Sequence, residues 1–217
     1  MALRLMFVTR SMVLPTFIEE QNLAQQGYVR VAGVDEVGYG ALAGPLVAAA
    51  VILPFAMNTD LIRDSKTLSP SQRDRVYERI VDQAIAVGIG EASVTEINQL
   101  NIRVADALAM RRALEQIEGL DFALVDGFSI PFLSVPQRSI IHGDGLVLSI
   151  AAASIVAKVT RDRMMKTYHE EYPMYAFDKH KGYGTAMHQA AIKTHGPCPL
   201  HRISWKCFDT TSRHTLH

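Results

Sequence analysis

Apolar positions change period several times along the 217 residues, and each change marks a boundary between elements. From Tyr28 to Val34 they alternate, with Val29, Val31 and Gly33 set against Arg30, Ala32 and Val34, which predicts a strand. Gly44 to Leu53 is a near-continuous apolar run suited to a central strand, and the intervening GYGALAG segment supplies the glycines of a turn, so the pair reads as a hairpin. Ser69, Pro70 and Gln72 then mark a helix start, with serine at the cap, proline at the first helical position and glutamine placed to close a capping box. Val76, Tyr77, Ile80, Val81 and Ala84 follow at helical spacing.

Residues 86–93 read as a third strand, and Thr95 opens a second helix whose apolar stripe runs through Ile97, Val104, Leu108, Leu114 and Ile117. Phe122 to Val125 is a short buried strand ending at Asp126-Gly127, and Arg138 to Ile141 is another, ending at His142-Gly143-Asp144. A long Ala-rich helix with Ile150, Ile155, Val159 and Met164 inward covers Ser149 to Tyr168 and stops before Pro173. Three strands followed by helix-strand alternation predict an α/β fold, a mixed sheet covered by helices. The first 25 or so residues read as an irregular lead-in, and Arg10 splits their apolar run, so neither a signal peptide nor a membrane span is predicted.

Composition narrows the class. Apolar residues make up 48% of the chain and charged residues 20%, which excludes disordered, collagen-like and disulfide-stapled proteins. Two cysteines, Cys198 and Cys207, fit a reducing, cytoplasmic setting. The net charge of zero conceals an asymmetry: residues 1–157 hold 12 basic and 17 acidic side chains, whereas residues 158–206 hold 9 basic and 4 acidic, so a polyanion could sit against the second part.

Three acidic sites fall where strands end: Asp35 with Glu36, Asp126, and Asp144. Neighbours on a strand point to opposite faces, so Asp35 and Glu36 are expected to share one centre only where the chain leaves the strand, which Gly38 and Gly40 permit. Four converging carboxylates repel one another unless cations neutralise them, and all-oxygen ligands suit Mg²⁺ or Mn²⁺. Two such ions would clamp the attacking and leaving oxygens of a phosphodiester. On spacing alone the aspartates are equally well turn formers, since Asp-Gly is a common turn pair. A rival constellation, His195, Cys198, His201 and Cys207, has the look of a zinc site with unusual spacing.

The segment AGVDEVGYGALAGPLVAAAVIL (32–53) resembles the first motif of ribonuclease HII, the type 2 ribonucleases H. DSKTLS (64–69), GIGEASVTEINQLNI (88–102), AMRRAL (109–114), LVDG (124–127), GDGLVLSIAAASIVAKVTRDR (143–163), EEYPMYAFDKHKGYGTAMH (170–188) and HRISW (201–205) resemble the family's further motifs in its order. The resemblance implies a ribonuclease H-like fold, a five-stranded mixed sheet flanked by helices, as a catalytic domain over 28–206, with a lead-in at 1–27 and a tail at 207–217. It implies hydrolysis of RNA in RNA–DNA hybrids or at ribonucleotides embedded in duplex DNA. Cleavage would fall 5′ of the ribonucleotide and leave 3′-hydroxyl and 5′-phosphate ends, by a metal-activated water.

The resemblance places the metal ligands on Asp35, Glu36, Asp126 and Asp144, with two Mg²⁺ or Mn²⁺ ions during catalysis. It places substrate contacts on the Gly38-Tyr39-Gly40 loop, on Lys66 near the scissile phosphate, and on Tyr183, which would stack on the sugar at the RNA–DNA junction. Lys158, Arg161, Arg163, Lys179 and Lys181 are expected to meet backbone phosphates. Two departures from the family pattern bear on grip. Tyr39 stands where the family has arginine, and Leu146 and Val147 stand where it has lysine and serine, so altered junction specificity is expected. The expected partner is nucleic acid, the expected state a monomer, and the alternative function a catalytically silent hybrid-binding protein.

Overall fold

The computed structural model describes residues 14–62, 68–205 and 208. In chain order the elements are α1 (Ile18–Gln25), β1 (Val31–Val37), β2 (Leu46–Ile52), α2 (Pro70–Gln83), β3 (Ala86–Ala92), α3 (Val94–Leu100) and α4 (Ile102–Glu115). After these come β4 (Phe122–Asp126), β5 (Gln137–Ile140), α5 (Leu148–Glu171), α6 (Phe177–His180) and α7 (Ala186–His195). The five strands form one sheet in the order β3-β2-β1-β4-β5. Its first three strands are an antiparallel meander, and β4 and β5 run parallel to β1, so the predicted mixed sheet is the observed one.

Period-two alternation sorts the core. Ala32 and Val34 of β1, with Leu46, Ala48 and Ala50 of β2, face α3 and α4. Ala49 and Val51 of β2 face α2 and α5. Small residues let the helices press close. A Cβ on Gly33 would lie 2.2 Å from the Ser149 carbonyl carbon of α5, and one on Gly90 would lie 2.0 Å from the Ala109 carbonyl oxygen of α4. The capping box read at Ser69 and Gln72 is present and starts α2.

Three expectations are corrected. The lead-in is not irregular throughout: α1 packs Leu23 against Val147 and Ile150, and its Glu20 Oε1 accepts the Ser149 N–H at 2.9 Å. Val147, at the N-cap of α5, supplies no side-chain cap, so α1 caps that helix in its place. The single helix expected from Thr95 to Ile117 is two helices, divided at Asn101, which has a φ of 68° and accepts the N–H groups of Arg103 and Val104. That break resets the helical phase: Ala105, Ala109, Met110 and Ala113 are buried and Val104 is exposed. Finally, β1 does not end before Asp35; both acids lie inside it, paired with Ala49 and Ala48.

Candidate metal centre and nucleic-acid cleft

Asp35 and Glu36 obey the alternation of the strand, and they still meet. Asp35 turns to the α5 side, where Ser154 donates a hydrogen bond to it, and Glu36 turns to the α4 side, where Asp106 faces it. Asp126 ends β4, the strand beside β1, and accepts the Gly143 N–H at 2.6 Å. One carboxylate oxygen from each of Asp35, Glu36 and Asp126 lies within 4.8 Å of the others, the one such ligand group among the described residues. The chain need not leave the strand, because the three carboxylates meet at its C-terminal end.

Burial and mutual repulsion make this cluster costly when it carries no cation. Burial foremost, then the charges of Glu36 and Asp126, holds the Asp35 carboxyl well above the usual carboxylate range, partly offset by Ser154. Glu36 is pushed up to about 7 by burial first and by Asp106 next. Asp106, on α4, is pushed up to about 7 by burial and by the charges of Asp35 and Asp126. Its Oδ1 is sealed from water and has no hydrogen-bond partner. An all-oxygen, electron-rich set of this kind fits a hard divalent cation. Sequence reading missed Asp106; the signal was an acid set between Ala105 and Ala107 on a helix facing the sheet.

A cavity of ≈ 220 Å³ opens on the cluster and brings together Asp35, Glu36, Asp126, the Gly38-Tyr39-Gly40 loop, Ser154, Lys158 and Tyr183. The loop's shape is imposed from below. Gly38 has a φ of 100°, and a Cβ there would meet the Arg161 Nε at 2.4 Å. Arg202 donates to the carbonyls of Tyr39, Gly44 and Pro45, and an Ala41–Tyr183 bridge ties the loop to the segment carrying Tyr183.

Several expected phosphate contacts have other partners. Arg161 is 0% exposed. Its three nitrogens donate to the carbonyls of Pro45, Lys181 and Ala43 at 2.8, 2.8 and 3.0 Å, and its guanidinium lies 5.5 Å from the Tyr183 ring centre. It therefore positions the cleft and does not face substrate. Lys181 turns its ammonium back to the Asp178 carbonyl of its own loop. Arg163 pairs with Glu78 and Asp74, and Lys179 with Asp178. Lys158 remains at the cleft, 2.6 Å from Asp162 and 5.9 Å from the Tyr183 ring centre.

Asp144 is buried in the short turn Gly143–Gly145 beside the cluster and is not one of the three converging carboxylates. Leu146 is exposed, whereas Val147 packs in the core against α1. Lys66 and Cys207 lie outside the described residues. The zinc constellation does not assemble among the described residues: His201 Nε2 meets His188 Nε2 at 3.1 Å, and its Nδ1 lies 3.2 Å from the Cys198 sulfur.

A five-stranded mixed sheet whose adjacent strands β1 and β4 deliver carboxylates to one cleft defines a ribonuclease H-like protein, and solved structures share the fold. The chain resembles the ribonuclease HII of the PCNA complex from Archaeoglobus fulgidus, with a TM-score of 0.70, 22% identity, and 82% of this chain and 96% of that one covered. It also resembles Bst-RNase HIII in complex with Mn²⁺, with a TM-score of 0.67, 17% identity, and 85% and 70% covered. The protein belongs to the ribonuclease HII family, whose model matches residues 32–208. The ribonuclease HII of Syntrophotalea carbinolica is 50% identical over 188 residues, covering 86% of this chain and 90% of that relative. Members of this family are ribonucleases H, metal-dependent nucleases that degrade the RNA of RNA–DNA hybrids.

Proposed function

We propose that this ribonuclease H cuts on the 5′ side of a ribonucleotide, in hybrids and at single ribonucleotides within duplex DNA, leaving 3′-hydroxyl and 5′-phosphate ends. The observation that carries this reading is the small cleft in which the carboxylate cluster, the Gly-Tyr-Gly loop and Tyr183 face one another. The carboxylates would mark the scissile phosphate, and the loop and the tyrosine are close enough to read the adjacent sugar, whose 2′-hydroxyl distinguishes RNA from DNA. Three mutually repelling acids offer nothing to a protein that only grips hybrids, so the geometry favours catalysis over silent binding.

Asp35, Glu36 and Asp126 would hold Mg²⁺ or Mn²⁺, with Asp144 joining from the adjacent turn. When bound, two such ions supply charge neutralisation at the phosphodiester oxygens and a lowered pKa for the attacking water. The chain's own residues do the positioning. The Gly143 N–H fixes the Asp126 carboxylate and Ser154 fixes that of Asp35. Arg202 and Arg161 hold the loop and the tyrosine segment at a constant separation.

At position 39 the aromatic ring can stack on a sugar or base, but it lacks the five-donor fork of an arginine. Preference for an isolated junction over a continuous hybrid should be correspondingly weak. Cleavage rates on a duplex with one embedded ribonucleotide and on a continuous hybrid, for wild type and Tyr39→Arg, test this. The arginine variant should favour the single ribonucleotide more strongly; identical ratios would refute the specificity assignment.

A further inference from the structure

A second, larger cavity of ≈ 920 Å³ shares Glu36 and Asp126 with the carboxylate cleft and runs away from it between α4 and the loop after β4. Its rim carries aromatic rings turned outward: Phe128 is 73% and Phe132 95% exposed. Phe132 also holds a φ of 59°, the left-handed region that bulky side chains rarely enter. Exposure of two phenylalanines four positions apart, one on strained backbone, is opposed by both hydration and chain conformation, and it calls for a ligand. Tyr39 lies on the same wall, where the two cavities meet.

Positive charge accompanies the rings. Arg103 sits with its guanidinium 5.2 Å from the Phe128 ring centre and has no acidic partner among the described residues. Arg111, which pairs with Glu115 at 3.6 Å, lies a little over two turns further along α4 on the same cavity wall. An apolar floor with outward aromatic rings and arginines at its edge is the composition that takes unpaired nucleotides, whose bases stack while their phosphates meet the cations. Continuity selects this occupant over a protein segment: a nucleic-acid strand lying at Glu36 and Asp126 has its next nucleotides at the mouth of this cavity.

We propose that the cavity walled by Phe128, Phe132 and Arg103 binds unpaired nucleotides continuing from the strand held at the carboxylates. The site thereby favours hybrids whose ribonucleotide lies beside a frayed or single-stranded segment. The inference rests on the cleft being the site of cleavage, and its test separates the two.

The experiment measures binding of the full chain, in Ca²⁺ at low salt, to a blunt hybrid and to the same hybrid extended on the cut strand by four unpaired nucleotides on one side or the other. Fluorescence anisotropy reads the affinities, and cleavage of the blunt hybrid in Mg²⁺ is followed in parallel. Wild type should bind one extended form about five-fold or more tightly than the blunt one, the scale of a single lost stack. Phe128→Ala and Phe132→Ala should each reduce that advantage while leaving blunt-hybrid affinity and cleavage as they are, and Arg103→Ala should flatten its salt dependence. Both phenylalanines are surface side chains, and a circular dichroism melt confirms that the variants fold.

Equal affinity of wild type for blunt and extended forms overturns the proposal, as does an advantage that survives both alanine substitutions. Loss of blunt-hybrid affinity in the phenylalanine variants overturns it too, because it places the rings against the duplex. Failure of wild type to cut the blunt hybrid refutes the cleavage reading instead.

Discussion

Replacing Glu36 by glutamine should stabilise the metal-free protein, but only where Glu36 is charged. In the unfolded chain a glutamate ionises near 4.5, and in the fold Glu36 is pushed up to about 7 by burial and by Asp106. A carboxyl raised on folding binds its proton more tightly in the native state, so wild-type stability falls as pH rises from 4.5 through 7 and is level above that. A displacement of this size, at about 1.4 kcal/mol per pH unit, amounts to about 3 kcal/mol. Asp106 is itself one cause of the shift, so its own contribution overlaps with that of Glu36 and does not double it.

The histidines act in the opposite sense over part of this range. His188 is held down at about 4 by burial, and burial also lowers His180 and His201, so these groups add stability as pH rises toward 6.5. Comparing Glu36→Gln with wild type cancels that background. Urea unfolding in EDTA at pH 4 and pH 8 should give nearly equal stabilities at pH 4 and a variant more stable by about 3 kcal/mol at pH 8. Saturating Mg²⁺ should narrow the gap at pH 8, since cation binding stabilises only a fold that retains its ligands. Stability differences that stay parallel across the pH range would refute the claim that Glu36 is buried among other acids.

Arg161→Met removes the side-chain donor from the carbonyls of Ala43 and Lys181, and leaves Pro45 with Arg202 alone, and it should cost about 2 kcal/mol or more in urea unfolding, with loss of hybrid binding only where folding is lost. Substitution of Gly90 by alanine drives a Cβ to within 2.0 Å of the Ala109 carbonyl oxygen. It should lower the melting temperature by several degrees or abolish soluble expression; an unchanged melt would contradict the close packing of α4 on β3. Tyr39→Arg should raise the cleavage ratio of single ribonucleotide to continuous hybrid without changing Mg²⁺ affinity, as titration calorimetry would show.

Much of the site was legible because strand periods and turn glycines set its frame. Asp126 was read correctly as a strand-end acid. Asp35 and Glu36 were identified, although on the premise that the strand stopped before them. The premise failed because a short and a longer carboxylate on opposite faces can both reach past the strand's end, which alternation alone does not reveal. Asp106 escapes the sequence pattern because helical periodicity runs on through Asn101, whose positive-φ backbone shifts the phase of everything after it.

Arg161 departs from expectation for a different reason. Its place among the basic residues suggested surface, yet Ala153, Ala157, Arg161 and Met165 repeat every four positions on the wholly buried face of α5, and that spacing places it inside. The net charge of +5 over residues 158–206 accordingly overstates what a polyanion meets, since Arg161 and Arg202 are committed to backbone carbonyls. The folding of α1 onto Ser149 lay beyond sequence reading, because that contact joins positions 129 residues apart.

The central claim is that Asp35, Glu36 and Asp126 form the metal centre that cuts RNA. Its most direct test follows Mn²⁺ binding by calorimetry together with cleavage of an RNA–DNA hybrid, in wild type and Asp126→Asn. Loss of at least one bound Mn²⁺, a fall in cleavage of at least a thousand-fold and an unaltered fold are the predicted result. An Asp126→Asn protein that binds Mn²⁺ as wild type does and cuts at an undiminished rate would contradict it.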